Sequence, residues 1–392
     1  MTNGNPLSTA RNWNRIDGVD LLRGLSIFFV LMNHVNMRLL SVKLPYLVGL
    51  PLQLIYTLVW NGQLGVQIFF VVSGFLITST SIRRWGGLSN LSIRDFYRLR
   101  FSRIAPLMLV VLAILSILHL GRVPGYIVSE KTGGLGRALL AALTFHINWL
   151  EATRGYLPGN WDILWSLSVE EMFYLFFPLL AKPLSKKKLL WALFVLFIVA
   201  GPFARSKAFN PNPVWREYSY LGGMDAIAMG CLTALLVAGR RLQRSAIRAF
   251  GWCGAVLLVF SLCFSVRAYK WGLGKNGLLM TILAVGASLV IVAASQSGWT
   301  APRLLAPLRV LGQRSYEIYL THMFAVMALF TLFIRIGKPL HGVPVLFACA
   351  IAAAGLLGWL VAVFFAEPMN RALRRRFGID ESVLGAAQPE VD

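Results

Sequence analysis

Charge is what this sequence has least of. Only 14% of its 392 residues are charged, where a soluble chain carries about 25%. With 57% hydrophobic residues, that deficit excludes an ordinary soluble globular protein and points to a polytopic membrane protein. Acids are the scarcer sign, 16 Asp and Glu against 38 Lys and Arg. Such an excess can mark a nucleic-acid binder. Here, however, there is no basic amphipathic arm and no base-stacking platform, so no nucleic-acid partner is expected. The basic residues fall instead in short loops between apolar runs, which is how charge sets membrane topology. Cysteines are few: Cys231, Cys253, Cys263 and Cys349, all inside apolar runs. Without a CxxC pair or a disulfide framework they act as small hydrophobes. No HExxH, no CxxC and no acidic cluster with ligand spacing occurs, so no metal is expected. The first apolar run lacks a small-x-small cleavage site, which favours a retained helix over a signal peptide.

What is present is a series of apolar runs of about 20 residues, from Leu21 to Phe365, each able to cross a hydrocarbon core of roughly 30 Å. Ten spans are predicted, at 19–40, 64–82, 103–120, 164–181, 188–204, 221–238, 248–266, 277–295, 315–336 and 343–366. The segment 138–150, ALLAALTFHINWL, is too short to span and reads as a re-entrant or interfacial piece, an eleventh span being the alternative. With ten spans and the N-terminus inside, the cytoplasmic segments hold 23 Lys and Arg and the opposite loops 14, as the positive-inside rule requires. An eleventh span would put the basic KPLSKKK loop outside. The expected architecture is an all-α polytopic helix bundle with both termini cytoplasmic. It comprises a cytoplasmic segment 1–15, one transmembrane domain 16–370, and a basic, then disordered, tail 371–392.

Two polar residues interrupt the first run, DLLRGLSIFFVLMNHV (20–35). Arg23 and His34 are eleven residues apart, almost three helical turns, so they share a face about 16 Å apart. Ionisable groups inside a bilayer are costly and mark functional sites by default. Arg23 has a plainer reading, snorkelling to headgroups or pairing with Asp20 at i,i+3. His34 has one as well, a neutral histidine hydrogen-bonded to a neighbouring helix.

A second insertion lies in DILWSLSVEEMFYLFFPLL (162–180). Glu170 and Glu171 point about 100° apart. Counted from the other side of the membrane, Glu170 falls near the depth of His34, and a carboxylate is the usual group for orienting an imidazole. Asp225, in GGMDAIAMG, lies in the outer part of its span; a structural hydrogen bond is the alternative for it and for either glutamate. The third cluster faces the cytoplasm. Arg94, Arg98, Arg100 and Arg103 in RDFYRLRFSRIAP, with Ser315, Tyr316 and His322 in LGQRSYEIYLTHMF, would suit a phosphate-rich ligand. Contact with anionic lipid is the alternative.

Together these motifs resemble the acyltransferase family 3 of integral membrane transferases, over about 16–370. The Arg23–His34 spacing is similar to the family's R-x10-H signature. LGVQIFFVVSGFLIT (64–78), FYRLRFSRIAPL, LWSLSVEEMFYLFFPLL and LGQRSYEIYLTH follow in kind and order. The resemblance implies a ten-helix bundle that transfers an acyl group, often acetyl, from cytosolic acyl-CoA to a hydroxyl of a glycan, lipid-linked sugar or secondary metabolite. It implies no permanently bound cofactor, and a bacterial inner membrane is the expected location. It makes His34 the catalytic histidine, assisted by Glu170, and Arg23 a donor-binding residue, with Arg98, Arg100 and Arg103 holding phosphates. Ser73 and Tyr316 would line the donor path; Asp20, Glu171, Asp225, Ser315 and His322 are possible supports. Some members carry a further soluble domain after the membrane part. This chain runs on only briefly past its last predicted span, so none is expected and the acceptor is less constrained.

The mechanism expected is direct transfer, with His34 as general base and proximity doing much of the rest; an acyl-histidine intermediate is a variant. A proton-coupled transporter or exporter of a small acid or acylated sugar is the competing reading, since buried His and Glu also relay protons. The inverted repeats that would favour it are not evident.

Overall fold

A computed structural model describes residues 15–185 and 188–379. The predicted disordered end of the tail and most of the predicted N-terminal segment lie outside these residues. The described residues form helices and no strand. Nine of their helices are long and apolar enough to cross a membrane. The predicted fifth span, 188–204, is a shorter apolar helix of 17 residues, Leu189–Arg205. At 1.5 Å per residue it is about 26 Å long, close to the lower limit for a span.

We number the main helices α1 (Asp17–Ser41), α2 (Gly62–Trp85), α3 (Ile93–Leu120), α4 (Leu164–Leu184), α5 (Leu189–Arg205), α6 (Tyr220–Val237), α7 (Arg244–Cys263), α8 (Leu278–Ser297), α9 (Ser315–Arg335) and α10 (Val343–Val361). Local chemistry sets several starts. The Ser92 hydroxyl accepts the Asp95 amide ahead of α3. Ser219 accepts the Gly222 amide at 3.1 Å ahead of α6. Each supplies an acceptor for an otherwise orphan first-turn N–H. The segment 138–150 is split at Thr144–His146 into two short helices, Gly134–Leu143 and Ile147–Arg154, neither of membrane length. The basic residues after 370 do not begin a separate tail. They continue α10 through a π-turn at Ala362–Ala366 into a helix ending at Arg376, packed against α3.

Helix α1 is central, and its side-chain rows explain why. Ile27, Leu31, Val35 and Leu39, spaced four apart, pack into a core with α9 and α10. Val19, Leu22, Phe29 and Val30 join the larger core with α2, α3 and α4. The row Arg23–Ser26–Val30–His34 runs along the border of the two, spaced by three and four residues and therefore on one face.

Helices α2 and α6 approach closely enough to exclude side chains. A Cβ on Gly74 would overlap the Ile227 carbonyl, and one on Gly230 would overlap the Val71 carbonyl. Small residues permit such backbone contact in lipid, where packing drives association. Gly230→Leu is therefore expected to separate α2 from α6 and to lower the folded yield severalfold. Size-exclusion chromatography of detergent extracts would show this; a normal monodisperse peak would mean the contact is dispensable.

Candidate active site

Helices α1 to α4, α9 and the helix after α10 enclose a cavity of about 160 Å³. Five arginines line it: Arg23, Arg84 at the end of α2, Arg100 and Arg103 of α3, and Arg374. Only two acids oppose them, Glu170 and Glu171 of α4. The Arg23 Nε donates to Ser315 Oγ at 3.0 Å, and its Nη1 lies 3.7 Å from Asp20. Arg100 donates to Glu171 at 3.0 Å and stands over the Tyr174 ring, 3.6 Å from its centroid. Arg103 is exposed in the cavity and has no hydrogen-bond or ion-pair partner among the described residues. A cluster with surplus positive charge and an unpaired guanidinium is chemically suited to a polyphosphate.

On the far wall, the Glu170 carboxylate accepts from the Tyr174 hydroxyl at 2.7 Å and from the Ser73 hydroxyl, and the two hydroxyl oxygens lie against each other. Tyr316 also lines the cavity, its hydroxyl donating to the Ile104 carbonyl at 2.8 Å.

A second space of about 20 Å³ adjoins the first, sharing Phe69, Leu167, Glu170 and Tyr316 with it. It follows α1 along Ser26 and Val30 and ends at Tyr319. It has room for about one water. The Tyr319 hydroxyl is fixed by Ser166 Oγ at 2.6 Å and the Ile163 carbonyl at 2.8 Å. Beyond this neck the Tyr319 ring meets that of His322, centroids 5.8 Å apart, and His322 meets His34, with Nε2 and Nδ1 3.1 Å apart. His322 is buried, whereas His34 is partly open. Arginine cavity, neck and histidine pair thus lie in sequence along one face of α1.

The structure brings Arg23, Ser73, Arg100, Arg103, Glu170, Glu171 and Tyr316 to one cavity and Ser315 to its rim, but it separates others. Glu170 does not hydrogen-bond His34; the ring partner of His34 is His322. The depth match fails because the fourth span begins at Gly159, not 164. Glu170 is then eleven residues in, about 16 Å, whereas His34 is seven residues from Ser41, about 10 Å. Ser315 and His322, predicted together at the Arg23 end, divide between the two ends because they are two turns apart on α9. Arg98 leaves the cavity. It pairs with Asp95 at 3.6 Å, donates to the Phe377 carbonyl at 3.3 Å and lies over that ring. Arg94 does not line the cavity either. Asp225 belongs to a different buried cluster, accepting from Arg205 at 2.8 and 2.7 Å and from Gln67 at 3.0 Å.

Sequence reasoning missed Arg84 and Arg374. Arg84 had a legible signal, a basic pair closing the second run on the same side. Arg374 had none, since helical continuation past the last span brings it in. Also missed was Glu151, buried near the His34 end, where it accepts the Leu157 amide at 3.0 Å. Burial, then the neighbouring Asp162, pushes its carboxyl well above the usual range. Its protonated form favours folding, so the thermal midpoint should fall as pH rises from about 4.5, the unperturbed value, through the raised one. Glu151→Gln should flatten that slope; an unchanged profile in a pH series of melts would remove Glu151 as its source.

The model of the family described as "Acyltransferase domain" matches residues 16–364. The chain is 24% identical over 330 residues to O-acetyltransferase OatA of Staphylococcus aureus, covering 78% of this chain and 50% of that protein. It is 26% identical over 356 residues to peptidoglycan O-acetyltransferase OatA of Listeria monocytogenes, covering 83% and 51%. It is 28% identical over 358 residues to the putative peptidoglycan O-acetyltransferase YrhL of Bacillus subtilis, covering 83% and 50%. The chain spans about half the length of the relatives it matches. No solved structure matches it.

Proposed function

Because the chain belongs to the acyltransferase domain family, we propose that it moves an acetyl group from acetyl-CoA to a hydroxyl of a bacterial cell-envelope glycan. The observation that carries this reading is the order along α1 of an arginine-rich cavity, a one-water space beside it, and a histidine pair about 16 Å from Arg23. The donor's phosphates would sit against Arg103, Arg23 and Arg374, on the cytosolic side by the charge of the loops. Its extended arm would carry the thioester past Tyr316 and Tyr319. His34 takes the proton of the acceptor hydroxyl as its oxygen attacks the acyl carbon. The new C–O bond forms, the C–S bond breaks, and the leaving thiolate receives the proton from His34. Glu170 holds Ser73 and Tyr174 at the mouth of the neck, which positions that wall.

The test is transfer of labelled acetyl from acetyl-CoA to soluble peptidoglycan strands by the purified protein, read as alkali-labile label on glycan. Labelled ester supports the reading. No ester and no acetyl-CoA binding would remove this donor. Arg103→Ala should raise the KM for acetyl-CoA about tenfold with little change in kcat, as expected for losing a charge-assisted phosphate contact of about 1.4 kcal/mol. An unchanged KM would move the phosphates elsewhere.

A further inference from the structure

The hydrogen bonds of the histidine pair can be read as a directed chain. It starts at the Tyr319 carbonyl oxygen, 2.6 Å from Nδ1 of His322. A carbonyl only accepts, so that nitrogen carries the hydrogen. In a neutral ring the other nitrogen, Nε2 of His322, is then an acceptor. It faces Nδ1 of His34 at 3.1 Å, so Nδ1 of His34 must be the donor. With both rings neutral, the chain leaves Nε2 of His34 as a bare lone pair. The Tyr319 end is held firmly, for its hydroxyl is pinned by Ser166 and Ile163 and its carbonyl belongs to α9.

We propose that His322 is a positioning residue that fixes the tautomer of His34, so that Nε2 is the nitrogen that takes the acceptor's proton. This rests on the proposed role of His34 and deepens it. When His34 gains that proton, the charge spreads over its ring, and the Nδ1–H bond to His322 strengthens as it becomes charge-assisted. No carboxylate is needed for this orientation, which accounts for Glu170 being engaged elsewhere. Without the acceptor at His322, the His34 ring keeps only the Val30 carbonyl one turn back on α1, and its tautomer and rotation are less firmly set.

The experiment compares His322→Phe and His322→Gln with wild type in steady-state acetyl transfer. Phe keeps the ring volume and removes the acceptor. The Gln amide oxygen can accept from Nδ1 of His34 and restore the chain. We expect kcat to fall about 10²-fold in His322→Phe, the scale of a lost orienting partner, with KM for acetyl-CoA unchanged, and to recover to within about tenfold of wild type in His322→Gln. A merely structural role would move folding and KM and would not distinguish these variants in kcat. ¹⁵N NMR of histidine-labelled wild type, with His34 assigned by its loss in His34→Ala, reads the tautomer directly and holds even if His322→Phe does not fold. Hydrogen on Nδ1 supports the proposal. Hydrogen on Nε2, or wild-type kcat in His322→Phe, overturns it. If His34→Ala still transfers acetyl, the role of His34 itself fails. If His34→Ala is inactive and His322→Phe is fully active, only the present inference does.

Discussion

A His34→Ala protein is expected to transfer acetyl about 10²–10⁴-fold more slowly than wild type, the range for losing a general base, while binding acetyl-CoA with unchanged affinity. The separation follows from the layout, because the arginines lie in the cavity and His34 lies beyond the neck. No neighbour can take over. Glu170 is on the cavity side and accepts from Ser73 and Tyr174. His322 stands behind His34, its Nε2 facing the His34 ring and its Nδ1 held by the Tyr319 carbonyl, so it is one ring further from the acceptor. The measurement is kcat with both substrates saturating, beside a direct binding isotherm for acetyl-CoA. A variant within about fivefold of wild type in kcat would remove His34 from the chemistry.

The second large effect is on stability. Asp225 is fully buried and Arg205 nearly so. The carboxylate accepts two guanidinium hydrogen bonds at 2.7 and 2.8 Å, with Gln67 and Thr281 on its remaining lone pairs. Arg205 also donates to the carbonyls of Gly222 and Gly277. This cluster ties α2, α5, α6 and α8 together. Asp225→Leu strands the guanidinium, which costs about 3–5 kcal/mol when one partner of a buried pair is removed. The double variant Arg205→Met, Asp225→Leu should regain most of that loss, since an apolar pair leaves no uncompensated charge. Unfolding in mixed detergent micelles would show both. An Asp225→Leu protein as stable as wild type would mean that the pair contributes nothing net.

The bundle and the shared face of Arg23 and His34 were legible because both depend on short-range periodicity. Apolar runs of membrane length report spans, and a spacing of eleven reports a face. What depends on vertical register was less legible. Glu170 was placed one turn too shallow because Gly159–Asp162, with few apolar residues, did not read as part of the span that it opens. His322 was recognised as a polar residue on α9, but a one-dimensional pattern cannot say which neighbour it meets two turns into the helix. Arg205 lies at the end of an apolar run, where a loop arginine is ordinary, so its pairing with Asp225 needed the tertiary structure. Arg374 was masked by its setting in a basic stretch, where a solvated tail and a cavity wall have the same composition.

The narrowness of the neck has an electrical side. A line of polar groups along one face of a buried helix, from Arg23 to His34, would be a hazard to any membrane that stores energy as an ion gradient. Proton conduction requires an unbroken file of waters or titrating groups, and a file through the one-water space beside Glu170 meets the Tyr319 hydroxyl, whose hydrogen goes to the Ile163 carbonyl, an acceptor that passes no proton on. On the proposed reading, the constriction that a thioester arm would push open would thus serve at rest as an insulator of the membrane.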